Sequence, residues 1–518
     1  MQRTIPIIGI ILILILSGIH TTLSFDSYNI NQIENNDDID WWPTFHHDAQ
    51  NTGYSISTAP NTNNTLWKID IAVNDSGNAN NPIVYEGKLY FTSTTNRIYC
   101  INSSNGKMIW SKTIGNITSY YVNSVPTIYN NKLFVCGYDD KIYCLNASNG
   151  GTIWSSIPVY SSNFSPKISY GKIYVGSNNH SFYCLNASNG AIIWSSIIDL
   201  LPSSPAIFDE KVYVHNKNGK VYCLDAISGE EIWTRLTGGY TKVSTASPVI
   251  YNNKVYVVNE ESHSAGFIYC LDAYNGTILW KKHLDSQGRD HPTPTIADGK
   301  VYLGGSISIG TPGAVLYCFN ADNGAFIWEY FECFGQDISS PAIADGKVYF
   351  GTKTYFGNGT FLCLNKNYSS FIKWSYPIGI NMKDTPAIAD GKLYCNNGSK
   401  IYCFGDDIIP PKVEIVSPEK DTLYFFGRNI PFISSVVIGV SSVIFGSINI
   451  EINAYDTGTG LDSVKLYIDD FEKKNFSAGD SFIWRWDEKT FNNHFIRAVA
   501  CDKAGNIAEY TMTVWKFF

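Results

Sequence analysis

The chain has 518 residues, enough for several hydrophobic cores, of which 44% are hydrophobic, 14% aromatic and only 16% charged, with a net charge of -8. That balance contains no basic stripe able to displace the counterions of a phosphate backbone, so a nucleic-acid partner is excluded as a working hypothesis. Abundant Tyr, Ile, Val, Phe and Trp suit half-buried pleated surfaces, and abundant Asn, Ser and Gly suit turns, so the expected class is all-β.

In chain order, Arg3 precedes an uncharged apolar run from Ile5 to Ile19. Its length falls short of the roughly 20 residues that span a bilayer, so residues 1–24 are expected to be a secretory signal and the protein secreted or held at the cell surface. Membrane contact is expected only through this run, if it stays uncleaved. No Cys precedes Cys100, so no thiol stands at the signal boundary to carry a lipid. Residues 25–40, with Glu34, Asp37, Asp38 and Asp40 among many Asn, read as a polar linker.

From residue 41 to 407 the chain repeats. Trp returns at positions 110, 154, 194, 233, 280, 328 and 374, at spacings of 39 to 48 residues, and all but the last lie ten residues after a Cys. Each unit runs Pro-x-Ile, a two-residue turn, Lys-hydrophobic-Tyr-hydrophobic, a hairpin, Tyr-Cys-hydrophobic-Asn/Asp, a second turn and Ile-x-Trp. These are four strands, A to D, and a period in the forties is that of four-stranded propeller blades. The A–B turns, such as Asn130-Asn131 and Asp298-Gly299, tolerate positive φ; Asp209-Glu210 is the exception and is expected to be the most strained. Counting from Pro82, Pro126, Pro166, Pro205, Pro248, Pro294, Pro341 and Pro386 predicts eight blades. The eighth stops at Asp406-Asp407 without a Trp strand, while Leu66-Trp67-Lys68-Ile69 matches the Trp phrase ahead of the first unit. Residues 64–72 are therefore expected to complete blade eight and close the ring, removing a sheet edge.

Eight Cys, at positions 100, 144, 184, 223, 270, 318, 363 and 403, occupy one equivalent position per unit. Equivalent points on stacked sheets lie about 10 Å apart, beyond the roughly 7 Å reach of a disulfide, so these thiols are expected to be small buried hydrophobes.

Residues 41 to about 407 resemble the PQQ-like propeller repeat family, through Ala321-Asp322-Asn323-Gly324 to Trp328, Ala273-Tyr274-Asn275-Gly276 to Trp280, and the lead-in Trp42-Pro-Thr-Phe-His-His-Asp48 to Thr52-Gly53. The resemblance implies that Trp67, Trp110, Trp154, Trp194, Trp233, Trp280, Trp328 and Trp374 dock against neighbouring blades. The family holds both quinoprotein dehydrogenases and non-catalytic scaffolds, so activity does not follow from it. A quinoprotein would be expected to show an adjacent Cys-Cys pair against the cofactor and carboxylate and Asn ligands for calcium. No two Cys are adjacent here and there is no Cys-x-x-Cys-His haem attachment, so the reading is that of a non-enzyme without cofactor, with PQQ and calcium open to test.

Beyond Pro410-Pro411 the period ends. Alternating runs at 448–454, 463–468, 482–486, 496–500 and 511–515 describe an immunoglobulin-like sandwich over residues 410–518. Asn429 to Ile450 carry no charge, and Pro431, the serines and the β-branched residues favour buried strands there over a membrane span.

Candidate ligand groups are few. His46-His47-Asp48 has metal-ligand chemistry but reads better as a turn of the lead-in. Asp456, Asp462 and Asp502 are candidate calcium ligands between loops, although Asp is an ordinary turn residue. The loops before the A strands face the channel, and there Tyr121, Lys242, Arg289, Asp290, His291, Asp337, Lys383 and Asp384 could engage a polar ligand such as a glycan or peptide. The expected role is a binding or assembly scaffold for envelope proteins or glycans. The alternative is a quinone-dependent or carbohydrate-active enzyme using Asp290, Asp337 or Asp384, with paired carboxylates as its signature.

Overall fold

A computed structural model describes residues 39–518, apart from 72–77, 116–123, 138, 160–163, 200–202, 239–245, 263–264, 285–291, 308–312, 334, 355–358, 380–384, 408, 421, 432–441 and 457. Every regular element among the described residues is a strand. Asp40–Phe518 forms one compact unit.

The first repeat folds as Ile83–Tyr85, Lys88–Ser93, Arg97–Asn102 and Met108–Thr113, an antiparallel sheet in chain order. The same A-to-D order recurs through the sheet beginning at Ala342, to which Tyr54–Ser55 and Gly335–Ile338 are added. The ten-residue offset between Cys and Trp has a simple geometric meaning. Cys100 lies opposite Trp110 across the C–D hairpin, Cys223 opposite Trp233 and Cys318 opposite Trp328, each followed by a one-residue shift of register. Cys363 still meets Trp374 despite the longer spacing, because that hairpin takes up the extra residue in a further shift between Leu364 and Asn365. In the last repeat Cys403 finds its Trp at the other end of the sequence: Thr65–Asp70 pairs with Lys400–Gly405 and sets Trp67 opposite Cys403. The junction is pinned by Asp406, whose carboxylate accepts the Asn61 N–H at 2.9 Å, the Thr62 N–H at 3.1 Å and the Asn61 side-chain amide at 2.8 Å. Asp406 thus does between segments 345 residues apart in sequence what Asn146 does within a turn, where its Oδ1 accepts the Ser148 N–H at 2.9 Å.

The core lies between adjacent sheets. One cluster joins Tyr174, Phe182 and Cys184 of one sheet to Ile207, Val212 and Val214 of the next. Across these seams Trp and Tyr act together. Trp194 Nε1 and Tyr174 OH both donate to Ala226 O, at 3.3 and 3.0 Å, and Trp233 Nε1 and Tyr213 OH both donate to Ala273 O, at 3.0 and 3.1 Å. Trp110, Trp280, Trp374 and Trp67 share Ala147 O, Ala321 O, Pro60 O and Ser103 O with Tyr90, Tyr256, Tyr349 and Tyr394 in the same way. Two seams differ. Phe134 replaces the Tyr beside Trp154, leaving Trp154 Nε1 as the donor to Ala187 O at 3.2 Å. Trp328 Nε1 has no partner, although Tyr302 OH still donates to Lys366 O at 3.1 Å. The turn glycine of the following sheet lets the indole approach: a Cβ on Gly229 would stand 2.5 Å from the Trp194 ring, and one on Gly276 2.5 Å from Trp233.

The Cys at the repeat position are wholly buried and free, and burial pushes the Cys100 and Cys223 thiols up to about 12. In the Asp209-Glu210 turn both residues take positive φ, 48° and 54°, without a glycine.

The remaining residues form two sheets. One is Lys412–Ser417, Ile448–Tyr455 and Ile483–Trp486; the other runs in the order Arg428–Pro431, Thr422–Phe425, Ser442–Phe445, Ile507–Phe517, Phe491–Asp502, Leu461–Ile468 and Phe471–Ser477. Ile450, Val464, Leu466, Ile496 and Val514 form a core with no exposed surface. The uncharged stretch takes in all but the first residue of the strand Arg428–Pro431 and the whole of Ser442–Phe445, and its residues 432–441 lie outside the described set. Among the described residues no helix is long and apolar enough to cross a membrane.

Candidate functional site

The lead-in decides what the inner strands of the sheets can offer. From Trp42 onward it passes from one A strand to the next, and its carbonyls accept the N–H of the middle residue of six of them. Trp42 O takes Val84, Pro43 O takes Ile128, Ala49 O takes Ile207, Gln50 O takes Ile250, Thr52 O takes Ile296 and Gly53 O takes Ile343, all between 2.8 and 3.0 Å. The third sheet is reached differently: Lys167, at 1% exposure, extends its ammonium to Phe45 O and Asp48 O. Asn51, fully buried, bridges two sheets by donating to Pro205 O at 3.0 Å and Pro248 O at 2.9 Å. Left-handed backbone at His46, His47, Asn51 and Gly53 curls the segment tightly enough to follow a ring. Around it residues that precede strand-opening prolines link neighbours, Val125 N–H to Ser165 Oγ, Ser165 N–H to Ser204 Oγ and Thr293 N–H to Ser340 Oγ.

This packing encloses an ionisable cluster. His47 Nε2 lies 3.1 Å from both oxygens of Asp40, and its Nδ1 lies 3.5 Å from Asp48 Oδ2. Burial alone would lower the His47 imidazole, but the two carboxylates override it and raise it to about 9, so the ring is a cation held between two anions. Burial would raise Asp40 and Asp48, and His47 with the surrounding donors holds both below the ordinary carboxylate range. Burial lowers Lys167 to about 7 against the pull of Asp48, and burial together with the Lys167 charge lowers His46 to about 3. His46-His47-Asp48 is therefore a structural knot of the lead-in, with its charges satisfied internally.

Of the sequence-predicted channel residues, Tyr121, Lys242, Arg289, Asp290, His291, Lys383 and Asp384 lie outside the described residues. Asp337 sits in the short strand Gly335–Ile338, opposite Lys353. Among the described residues, Trp42, His46, Asn51 and Ser55 lie at 2% exposure or less, and the sequence has no adjacent Cys pair of the kind expected against a quinone cofactor.

The calcium candidates regroup. Asp407, Asp456 and Asp502 bring carboxylate oxygens within 4.8 Å of one another, a set able to offer oxygen ligands to a hard cation. Asp462 is not among them, because it lies in the strand Leu461–Ile468 while Asp456 and Asp502 begin turns. Asp407 was missed because it ends the repeat region and enters the cluster only through tertiary contact, accepting the Thr459 N–H at 2.6 Å.

Comparison with known proteins places the repeats. The model of the family described as "Outer membrane protein assembly factor BamB" matches residues 55–200, 116–329 and 264–403. BamB from Moraxella catarrhalis is similar in structure at 16% identity and TM-score 0.52, over 67% of this chain and 98% of that one. Quinohemoprotein alcohol dehydrogenase from Comamonas testosteroni is similar at 14% identity and TM-score 0.58, over 74% and 83%. The computationally designed Ika8 protein is similar at 12% identity and TM-score 0.52, over 64% and 97%. At these identities the likeness concerns the fold. No curated protein matches the chain by sequence.

Proposed function

The chain belongs to the PQQ-like propeller family described by the BamB model, and on that premise we propose that it is an exported, non-catalytic scaffold for the binding or assembly of proteins or glycans at the cell envelope. In this reading residues 1–24 are the signal, 41–407 an eight-bladed ring closed by residues 64–72, and 410–518 an immunoglobulin-like sandwich.

The observation that carries the reading is the occupied axis. A propeller enzyme needs reactive groups and a void at the mouth of its channel, whereas here the chain's own segment from Trp42 to Gly53 uses the inner-strand N–H groups and buries its charged residues against one another. What remains for recognition is the broad outer surface and the loops, which suits extended partners. The structural likeness to a quinohemoprotein alcohol dehydrogenase makes the competing reading worth a direct test. Residues 40–518 titrated with PQQ and calcium, with melting temperature and dye reduction by alcohols and sugars as readouts, should show no PQQ-dependent stabilisation and no turnover. Turnover that depends on PQQ would overturn the scaffold reading.

A further inference from the structure

The end of the repeat region and two turns of the C-terminal sheets bring three carboxylates together. One oxygen from each of Asp407, Asp456 and Asp502 lies within 4.8 Å of the other two. Two oxygens that ligate one calcium ion at roughly 2.3–2.6 Å stand at most about 5 Å apart, so the cluster has the span of a single ion's shell. Asp502 is 1% exposed. Among the described residues no Lys, Arg or His pairs with any of the three, and Lys503, next in sequence to Asp502, is exposed. Three anions this close repel one another unless a cation stands between them.

Backbone N–H groups fix the three side chains. Asp456 Oδ2 accepts the Gly458 and Gly460 N–H groups at 2.9 and 2.6 Å, Asp407 Oδ2 accepts the Thr459 N–H, and Asp502 Oδ1 accepts the Asn506 N–H at 2.8 Å. A Cβ on Gly458 would collide with Asp407 Oδ2, at 2.1 Å, so only glycine lets this turn close over Asp407. Two oxygens of the turn are left over. Asp456 Oδ1 and Thr459 Oγ1 are both buried and have no hydrogen-bond partner. A buried carboxylate oxygen without a donor is costly unless it ligates a cation. Clustered charge and an orphaned carboxylate oxygen thus point independently to the same kind of occupant.

The donors select the ion. The set holds three Asp and neither His nor Cys, which disfavours zinc and softer metals. Calcium takes roughly six to eight oxygens in flexible geometry, whereas magnesium demands a near-ideal octahedron and keeps several waters. We propose that Asp407, Asp456 and Asp502 bind one calcium ion, which ties the end of the repeat region to two turns of the C-terminal sheets. Asp406, one residue earlier, holds Asn61 and Thr62 at the ring closure, so the ion sits next to the point where the ring is fastened. The site shares no residue with the lead-in and does not depend on what the propeller binds.

The full chain, stripped with a chelator, is titrated with calcium chloride alone by calorimetry, and melting curves are taken with and without calcium. One ion per chain should bind and raise the melting temperature. Asp407→Asn and Asp456→Asn should each weaken calcium binding about tenfold or more, while Asp462→Asn, outside the cluster, should bind as wild type does. Without calcium, Asp456→Asn should melt no lower than the stripped wild type, because one member of the repelling set has lost its charge; an aspartate with a purely structural role would destabilise the variant in both conditions. Magnesium should bind about tenfold more weakly or less. No heat and no melting shift at about 10 mM calcium, beyond the range of weak extracellular calcium modules, overturns the proposal. So does calcium binding that Asp407→Asn and Asp456→Asn leave unchanged, which would place the ion elsewhere, and magnesium bound as tightly as calcium overturns the choice of ion.

Discussion

The seam beside Trp154 offers a controlled comparison. At most seams a carbonyl of the next sheet receives two donors, so converting the Trp to Phe leaves the Tyr hydroxyl in place. At Trp194 that hydroxyl is Tyr174 OH, 3.0 Å from Ala226 O. At Trp154 the neighbouring ring is Phe134, and Ala187, 7% exposed, loses its side-chain donor altogether. Trp194→Phe should therefore cost only the lost ring volume, about 1–2 kcal/mol. Trp154→Phe should cost that plus the penalty of a buried unsatisfied carbonyl, about 1–3 kcal/mol more. Adding Phe134→Tyr to Trp154→Phe restores a donor and should recover about 1 kcal/mol. Urea denaturation followed by far-ultraviolet circular dichroism would measure all four proteins. Equal costs at the two seams, or no recovery with Phe134→Tyr, would refute the claim that shared donation to one carbonyl stabilises each junction.

Three further outcomes follow from the same structure. Deleting residues 60–75 removes the strand that pairs with Lys400–Gly405 and the partners of Asp406, so the melting temperature should fall by more than about 5 °C and aggregation should rise; an unchanged melt would mean that closure adds nothing. Glu210→Gly relieves a left-handed glutamate at φ 54° and should stabilise by about 0.5 kcal/mol after the added freedom of the unfolded chain is subtracted, which thermal melting would detect, and a destabilised variant would contradict the strain. Acid should weaken the fold: burial lowers His46 to about 3 and His215 to about 4, so between pH 6.5 and those values the unfolded chain takes up protons that the folded one refuses. The loss should be on the order of 2 kcal/mol per histidine at pH 5, and His215→Gln should flatten the pH profile; a profile as steep as wild type would rule His215 out as a cause.

The sequence alone carried the repeat and, with it, the all-β class and the family, because a strand period is local. The spacing of ten between Cys and Trp is a hairpin length, and a hairpin turns a fixed spacing into a fixed cross-strand pair. Pro-x-Ile and the paired turn residues are local in the same sense. The axis was not legible in this way. Little in Trp42 to Gly53 announces that seven sheets converge on it, because six of the sheets are met by a lead-in carbonyl accepting a backbone N–H that any residue would supply, and the seventh by Lys167, far away in sequence. The same holds for Asp406 across the ring closure and for Asp407 beside Asp456 and Asp502. Side-chain patterns along a strand record which face is buried, but backbone pairing between distant segments and the charge environment of a packed axis depend on where the whole chain has travelled, and only the tertiary structure decides them.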